Sequence, residues 1–251
     1  MSWKDKLKEN QGGSTNPSLG ATAITVKRTE DGKVKFATWD KEKEKNIFTG
    51  QIKGVLIGQA NKLSSFCTEL GKNGGQYQSS YYFSNKDIAV FGQGKLFFKG
   101  EFDELLVKLN QAGADKPSKK KVLIIKTEKG LCAVETNMVI GIDQIGQFKD
   151  SLLENMVTLE PRIFDHDEPC ISKKSIEYLG KLAVKNPPLY AHISLDEEIT
   201  EEIAEQYGLE DALDNYAEWK KFRLGGGEEI FDEKKEEQEE LKEMEDDDLP
   251  F

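Results

Sequence analysis

Residues 33–41 read Lys-Val-Lys-Phe-Ala-Thr-Trp-Asp-Lys. In an extended strand successive side chains alternate between faces. Val34, Phe36 and Thr38 then point one way, and Lys33, Lys35, Ala37, Trp39 and Lys41 the other. An indole on a face with three lysines suits one chemistry: the ring stacks on a base while ammonium groups hold phosphates. The same ring equally suits a rim position that covers the edge of a core. In 47–53, Thr49, Gln51 and Lys53 share a polar face, while Phe48 and Ile52 are expected to point inward. Residues 76–83, Gln-Tyr-Gln-Ser-Ser-Tyr-Tyr-Phe, put Gln76, Gln78, Ser80 and Tyr82 on one face and Tyr77, Ser79, Tyr81 and Phe83 on the other. One of those faces must be core, so at least one tyrosine is left among hydrogen-bonding side chains. Tyr82 is the first choice, with Tyr77 or Tyr81 next. Lys72 and Lys86 fall in turn-rich stretches beside this segment and suit phosphate contacts. Lys119-Lys120-Lys121 suits either phosphate contacts or the solvated start of a strand.

Catalytic constellations are not evident. There is no Gly-x-x-x-x-Gly-Lys-Ser/Thr loop, no dinucleotide fingerprint and no Gly-x-Ser-x-Gly elbow. The two histidines, His166 and His192, stand in acidic or proline-broken contexts. Cys67, Cys132 and Cys170 are odd in number and widely spaced, which argues against a disulfide framework and for a reducing cytoplasm. His166 and Cys170 lack the second close pair that zinc needs. The expectation is a protein that is not an enzyme and carries neither metal nor cofactor. No run approaches the 18 apolar residues of a membrane span, and the N-terminus lacks the apolar core of a signal peptide.

The elements that would position these side chains come from hydrophobic periodicity and turn residues. Ile24 to Arg28 and Lys33 to Asp40 flank Glu30-Asp31-Gly32, an Asp-Gly hairpin signal. Ile47 to Leu56 follows as a strand with Gly50, Gly54 and Gly58 in or beside it, which suggests bulges or close backbone approach. Tyr77 to Phe83, Ile88 to Lys99, Val122 to Ile125 and Leu131 to Ile140 are further strands. Phe102 to Leu109, 148–160, Asp196 to Tyr207 and Asp211 to Phe222 read as helices, with Asp196 capping the third and Leu213, Tyr216 and Trp219 on one face of the fourth. The Gly71–Gly75 stretch is a flexible loop. Short, glycine-interrupted strands with helical inserts predict a mainly β (α+β) protein: an OB-fold-like five-stranded barrel with helical elaborations. Residues 1–20 read as a flexible arm, 21–224 as the body, and 225–251 as a disordered acidic tail.

The net charge of -11 is unevenly spread. Residues 228–251 carry 13 acids against 3 lysines, and residues 195–227 carry 10 acids against 3 bases. Residues 1–194 hold 29 bases against 23 acids. A basic body attracts phosphate, and an attached polyanion competes for the same surface. The chain closes on Asp246-Asp247-Asp248-Leu249-Pro250-Phe251. An aromatic ring, a terminal carboxylate and flanking acids suit an apolar pocket with a basic rim.

That tip resembles the acidic tip of bacterial and phage single-stranded DNA-binding proteins, Asp-Asp-Asp, an aliphatic residue, Pro and Phe, with Leu249 at the aliphatic position. The resemblance spans six residues, and the large body does not align with the bacterial family. It implies a phage-type protein, in the host cytoplasm, that coats single-stranded DNA with little sequence preference in replication, recombination or repair. It also implies that Asp246 to Phe251 recruit partner proteins, and that the protein works as a monomer or homodimer. A non-enzymatic replication adaptor that carries the tip without binding DNA is the rival reading, and a DNA-processing nuclease is a second.

Overall fold

The computed structural model describes residues 19–67, 76–86, 88–92, 95–111, 117–149, 151–165, 171–182 and 186–226. Eleven strands and six helices follow in order among them. They are β1 (Thr22–Arg28), β2 (Val34–Asp40), β3 (Lys45–Thr49), β4 (Ile52–Cys67), β5 (Gln76–Tyr82), β6 (Ile88–Gly92), β7 (Lys95–Gly100), α1 (Phe102–Gln111), β8 (Ser118–Thr127) and β9 (Gly130–Asn137). Then come α2 (Met138–Phe148), α3 (Ser151–Glu154), β10 (Asn155–Ile163), α4 (Lys173–Leu182), β11 (Leu189–Glu198), α5 (Glu201–Tyr207) and α6 (Leu209–Lys221), which ends in a π-turn over Phe222–Gly226.

Nine strands form one sheet in the order β11-β10-β4-β8-β9-β1-β2-β3, with β5 also on β4; β6 and β7 form a separate hairpin. The protein is therefore mainly β with helices, as expected. The sheet is curled and open, with more strands than the five of the expected barrel. Pairing is antiparallel except between β1 and β9. The long β4 organises it. Along one edge β4 pairs β10 at Ile52–Gly54 and β5 at Asn61–Cys67; along the other it pairs β8. The register slips between Leu56 and Gly58, a bulge of the kind that increases local twist.

The curl separates two apolar clusters. Ile24, Phe36, Leu56, Leu123, Ile125 and Val134 meet Val157, Leu159, Ala191 and Ile193 from β10 and β11 inside it. Val55, Ala60, Val122, Ile124 and Ala133 lie on the outer face under Tyr207, Leu209, Ala212 and Trp219 of α5 and α6. The run Val122 to Ile125 thus alternates between two buried faces, which is why it is apolar throughout.

Closure of the curl falls to side chains. β11 is an edge strand, and its outward backbone groups are met by α2 and β9. The Gln144 side-chain amide donates to the Ala191 carbonyl at 3.0 Å and accepts from the Ile193 N–H at 2.8 Å. Thr136 Oγ1 accepts from the Ala191 N–H at 2.9 Å. Gln144 is fully buried. It is set there by α2, whose first turn is capped by Asn137 Oδ1 accepting from Val139 and Ile140.

Several elements depart from the sequence reading. Residues 148–160 hold only the end of α2, the short α3 and then strand β10. β10 tolerates Pro161 because its pairing with β4 stops at Leu159, leaving an edge where a missing N–H costs nothing. Leu131 to Ile140 is a strand only as far as Asn137. Asp196 belongs to β11 and accepts from Thr158 Oγ1 at 2.6 Å; Thr200 caps α5 instead. Residues 47–56 are two strands, broken at Gly50-Gln51, and 88–99 are a hairpin. The arm over 1–18, the Gly71–Gly75 loop and the tail from residue 227 lie outside the described residues. Among the described residues no helix is long and apolar enough to cross a membrane.

Thr136→Val removes the acceptor for the Ala191 N–H with little change of shape. It is expected to lower stability by about 1–3 kcal/mol in a denaturant titration, the cost of one unpaired buried group. Gln144→Leu, which orphans a donor and an acceptor, should cost more.

Candidate nucleic-acid interface

The hairpin β1–β2 and the edge strand β3 present one face to solvent. The pairs Thr25↔Ala37 and Lys27↔Lys35 in β1–β2, with Ala37↔Phe48 and Trp39↔Asn46 in β2–β3, put Lys27, Lys35, Trp39, Asn46 and Phe48 on that face. The opposite face holds Ile24 and the fully buried Phe36. Trp39 is 57% exposed and Phe48 41%. They occupy diagonal positions of a β-ladder, where backbones are about 7–8 Å apart. Lys27 Nζ donates to Asn46 Oδ1 at 3.2 Å, so one cation is fastened beside the indole by a neutral partner. Two large rings left in water next to ammonium groups can stack on planar ligands while the cations hold anions.

Phe48 therefore points away from the core, against expectation. Reading 47–56 as one strand put Phe48 in phase with Ile52. The turn at Gly50-Gln51 breaks that phase, and a single-residue offset exchanges the faces of every side chain. Thr49 accordingly pairs with Phe36, on the core side. The Asp-Gly turn and the placement of Trp39 on a wet face with Lys35 agree with the sequence reading.

The other sequence candidates divide. Lys33 is exposed beside the turn and paired with Asp31 at 3.0 Å. The Thr29 hydroxyl and Lys33 hold the Asp31 carboxyl down to about 2. Lys53 faces Glu197 at 3.1 Å and Asp196 at 3.9 Å; the Glu197 hydrogen bond, with the charge of both acids, raises its pKa. Two carboxylates make Lys53 a poor phosphate ligand. Lys86 is exposed in the turn after β5. Lys72, His166, Cys170 and the tip Asp246, Asp247, Asp248, Leu249, Pro250 and Phe251 lie outside the described residues, as do the side chains of Tyr77, Phe91, Phe97 and Phe98.

Tyr82 is a correction. It is 1% exposed, packed with Leu63, Ile88, Phe102 and Leu105 under α1. Its hydroxyl has no hydrogen-bond partner among the described residues, and burial raises its pKa. Tyr81 takes the outer face, half-buried, edge-on to Trp219 at 5.3 Å. Phe83 also meets Trp219 edge-on, at 5.5 Å. Lys62 Nζ lies 5.7 Å from the Tyr81 ring centre and Lys220 Nζ 5.5 Å from that of Phe83. Trp219 is thus the anchor of α6. Beside it, Gly58 leaves room for the Tyr216 ring; a Cβ there would fall 2.2 Å from it. The Tyr216 hydroxyl accepts from the Gln59 N–H at 3.1 Å and donates to its carbonyl at 2.8 Å.

The triple lysine splits by strand alternation. Lys119 lies 3.7 Å over the Phe102 ring, and Lys121 Nζ donates to Asn61 Oδ1 at 3.2 Å. Lys120 pairs with Lys62 and Asn137 on the outer face. No group of His, Cys, Asp and Glu able to hold a metal occurs among the described residues. His192 is buried edge-on to Tyr190. The Cys132 thiol is half-buried and pushed up by burial.

Compared with known proteins, the chain matches no family model, no curated protein and no solved structure.

Tyr82→Phe deletes a buried hydroxyl with no partner among the described residues. It is expected to raise stability by about 1 kcal/mol and to leave nucleic-acid affinity unchanged. Thermal melts and a titration with labelled oligothymidylate check the two halves.

Proposed function

We propose that this protein binds single-stranded DNA without marked sequence preference and does no chemistry on it. The observation that carries the reading is the pair of water-exposed rings, Trp39 and Phe48, on one strand face with Lys27, Lys35 and Asn46. Every base has a π-face, so ring stacking is tolerant of sequence, and lysine–phosphate contacts are tolerant as well. An edge-strand face with exposed rings suits splayed bases better than a duplex, whose bases are already stacked. The five adjacent strands β4-β8-β9-β1-β2 would be the counterpart of an OB-fold-like barrel, opened and extended at both ends.

In the same proposal, residues 225–251 form an interaction segment and Asp246 to Phe251 dock replication, recombination or repair proteins. The support is chemical: a phenylalanine behind a proline and three aspartates offers one apolar anchor within a dense negative charge. Coating of single strands in the cytoplasm of a phage-infected host, by monomer or homodimer, follows from the likeness of that tip. An adaptor that carries the tip without binding DNA is the alternative, and a binding titration separates the two.

Trp39→Ala and Phe48→Ala should each weaken binding of an oligothymidylate by about 1–3 kcal/mol, the usual worth of one base–aromatic stack. Neither should shift stability by more than about 0.5 kcal/mol, since both rings are exposed. In a Trp3→Phe background DNA should quench the fluorescence of Trp39, and the quench should vanish when Trp39→Phe is added because Trp219 is buried. Affinity should fall steeply with salt. Absence of binding at about 50 mM salt would refute the proposal.

Deleting residues 225–251 should tighten DNA binding most at low salt, because its acids compete with phosphate and screening shortens their reach. Deleting Phe251 alone keeps the charge. DNA affinity should then hold while capture of replication proteins is lost. Equal capture by both forms would show that Phe251 is not the anchor.

A further inference from the structure

The pairing register carries the interface further than Trp39 and Phe48. On the outer face Lys62 stands opposite both Tyr81 of β5 and Lys120 of β8. Lys120 stands opposite Asn137 of β9. β1 runs parallel to β9 up to the pair Thr25↔Glu135. The pairing ends there, and two residues further along each strand, on the same face, stand Lys27 and Asn137. Lys27 is in turn opposite Lys35. Tyr81, Lys62, Lys120, Asn137, Lys27 and Lys35 therefore form one row at right angles to six strands. Five inter-strand steps of about 4.8 Å make it about 24 Å long.

Within the row Lys27 is exposed and Tyr81, Lys62, Lys120, Asn137 and Lys35 are half-buried, whereas the neighbouring Ala60, Val122, Ile124 and Ala133 are buried. α5 and α6 cover the neighbouring positions Gly58, Ala60, Val122, Ile124 and Ala133. They reach the row at Tyr81, which packs edge-on against Trp219 of α6, and Arg223, just beyond α6, sits 5.9 Å from the same ring. On the other side of the row, the next pair on the same face is Ser64 and Ser118. The row carries four ammonium groups, and among the described residues Glu135 is bonded to one of them, Lys62, at 2.6 Å. Burial works against the Lys62 charge, but Glu135 outweighs it and keeps the pKa raised. Among the described residues the row itself places no carboxylate opposite Lys120, Lys27 or Lys35.

We infer that single-stranded DNA crosses the sheet along this row, its phosphates on Lys120, Lys27 and Lys35, with Tyr81 at one end and, at the other, Phe48 and Trp39 two and four residues to one side of the level of Lys35. The inference rests on the DNA-binding reading and adds Lys27 and Lys120, the direction of the strand and the length of the track. Lysines stacked at one level across a sheet repel one another in the free protein, and a polyanion relieves that repulsion. A strand stacked as in a duplex advances about 3.4 Å per nucleotide, so the track holds about seven nucleotides at most.

The test compares two triple variants of the full chain with equal change in charge. Lys27→Gln/Lys35→Gln/Lys120→Gln empties the row. Lys173→Gln/Lys174→Gln/Lys181→Gln removes three exposed lysines of α4, which packs on α2 and not on the outer face. Lys62 is left in place because its loss would strand the Glu135 carboxylate. Binding of an oligothymidylate is followed against salt. Each lost phosphate contact reduces the slope of log affinity against log salt by about 0.7. The row variant should lose about two units of slope and the α4 variant none. An unchanged slope in the row variant, or an equal loss in both, overturns the track while leaving DNA binding intact. Failure of the unaltered chain to bind overturns the reading on which it rests.

Discussion

The three hydrogen bonds from Gln144 and Thr136 to the edge of β11 hold the curl of the sheet. A bare strand edge is a row of unmet donors and acceptors, and inside a core each unmet group is costly. Here the edge is met by an amide that reproduces the donor and acceptor of a missing strand, and by one hydroxyl. Because those partners come from α2 and β9, β11 is drawn over the inner face of the same sheet. Val157, Leu159, Ala191 and Ile193 then cover Phe36, Leu123 and Val134 without a second domain.

Bringing β10 and β11 inside has a consequence for the outside. The inner face is filled by the protein's own strands, which leaves the outer face to the C-terminal helices and to solvent. The C-terminal helices take part of that face, and they do so through specific shape. Gly58 admits the Tyr216 ring, and Trp219 locks against Tyr81 and Phe83. Beyond α5 and α6, Lys27, Trp39 and Phe48 are exposed and Lys62, Lys120 and Lys35 are half-buried. The polar strip is therefore a product of where α6 ends as much as of the strands themselves.

The same geometry explains which sequence readings held. The Asp-Gly hairpin is local and depends on two residues, so β1 and β2 were legible. So was α6, whose apolar spacing survives from Leu209 to Trp219, although its Leu213 is exposed. Residues 148–160 were not legible, because apolar residues there satisfy helix and strand periods alike. Asp196 resembles a helix cap in its local context, and only its bond to Thr158 on the neighbouring strand makes it a strand residue. Tyr82 and Tyr81 alternate as read, but which of the two faces is buried depends on α1 arriving from one side and α6 from the other.

Local chemistry, readable without any fold, determined a mainly β chain, a face carrying Trp39 with Lys35, and an acidic segment that includes Phe251, because alternation and composition are properties of neighbours in sequence. The tertiary structure alone decided that Phe48 joins Trp39, that Tyr82 is core, that Lys53 is spent on Glu197 and Asp196, and that Lys120 stands in line with Lys62 and Asn137. Each of those depends on strand register or on an element far away in the chain. Register is a relation between strands, and a one-residue shift reverses which side chains meet, so no single segment contains it.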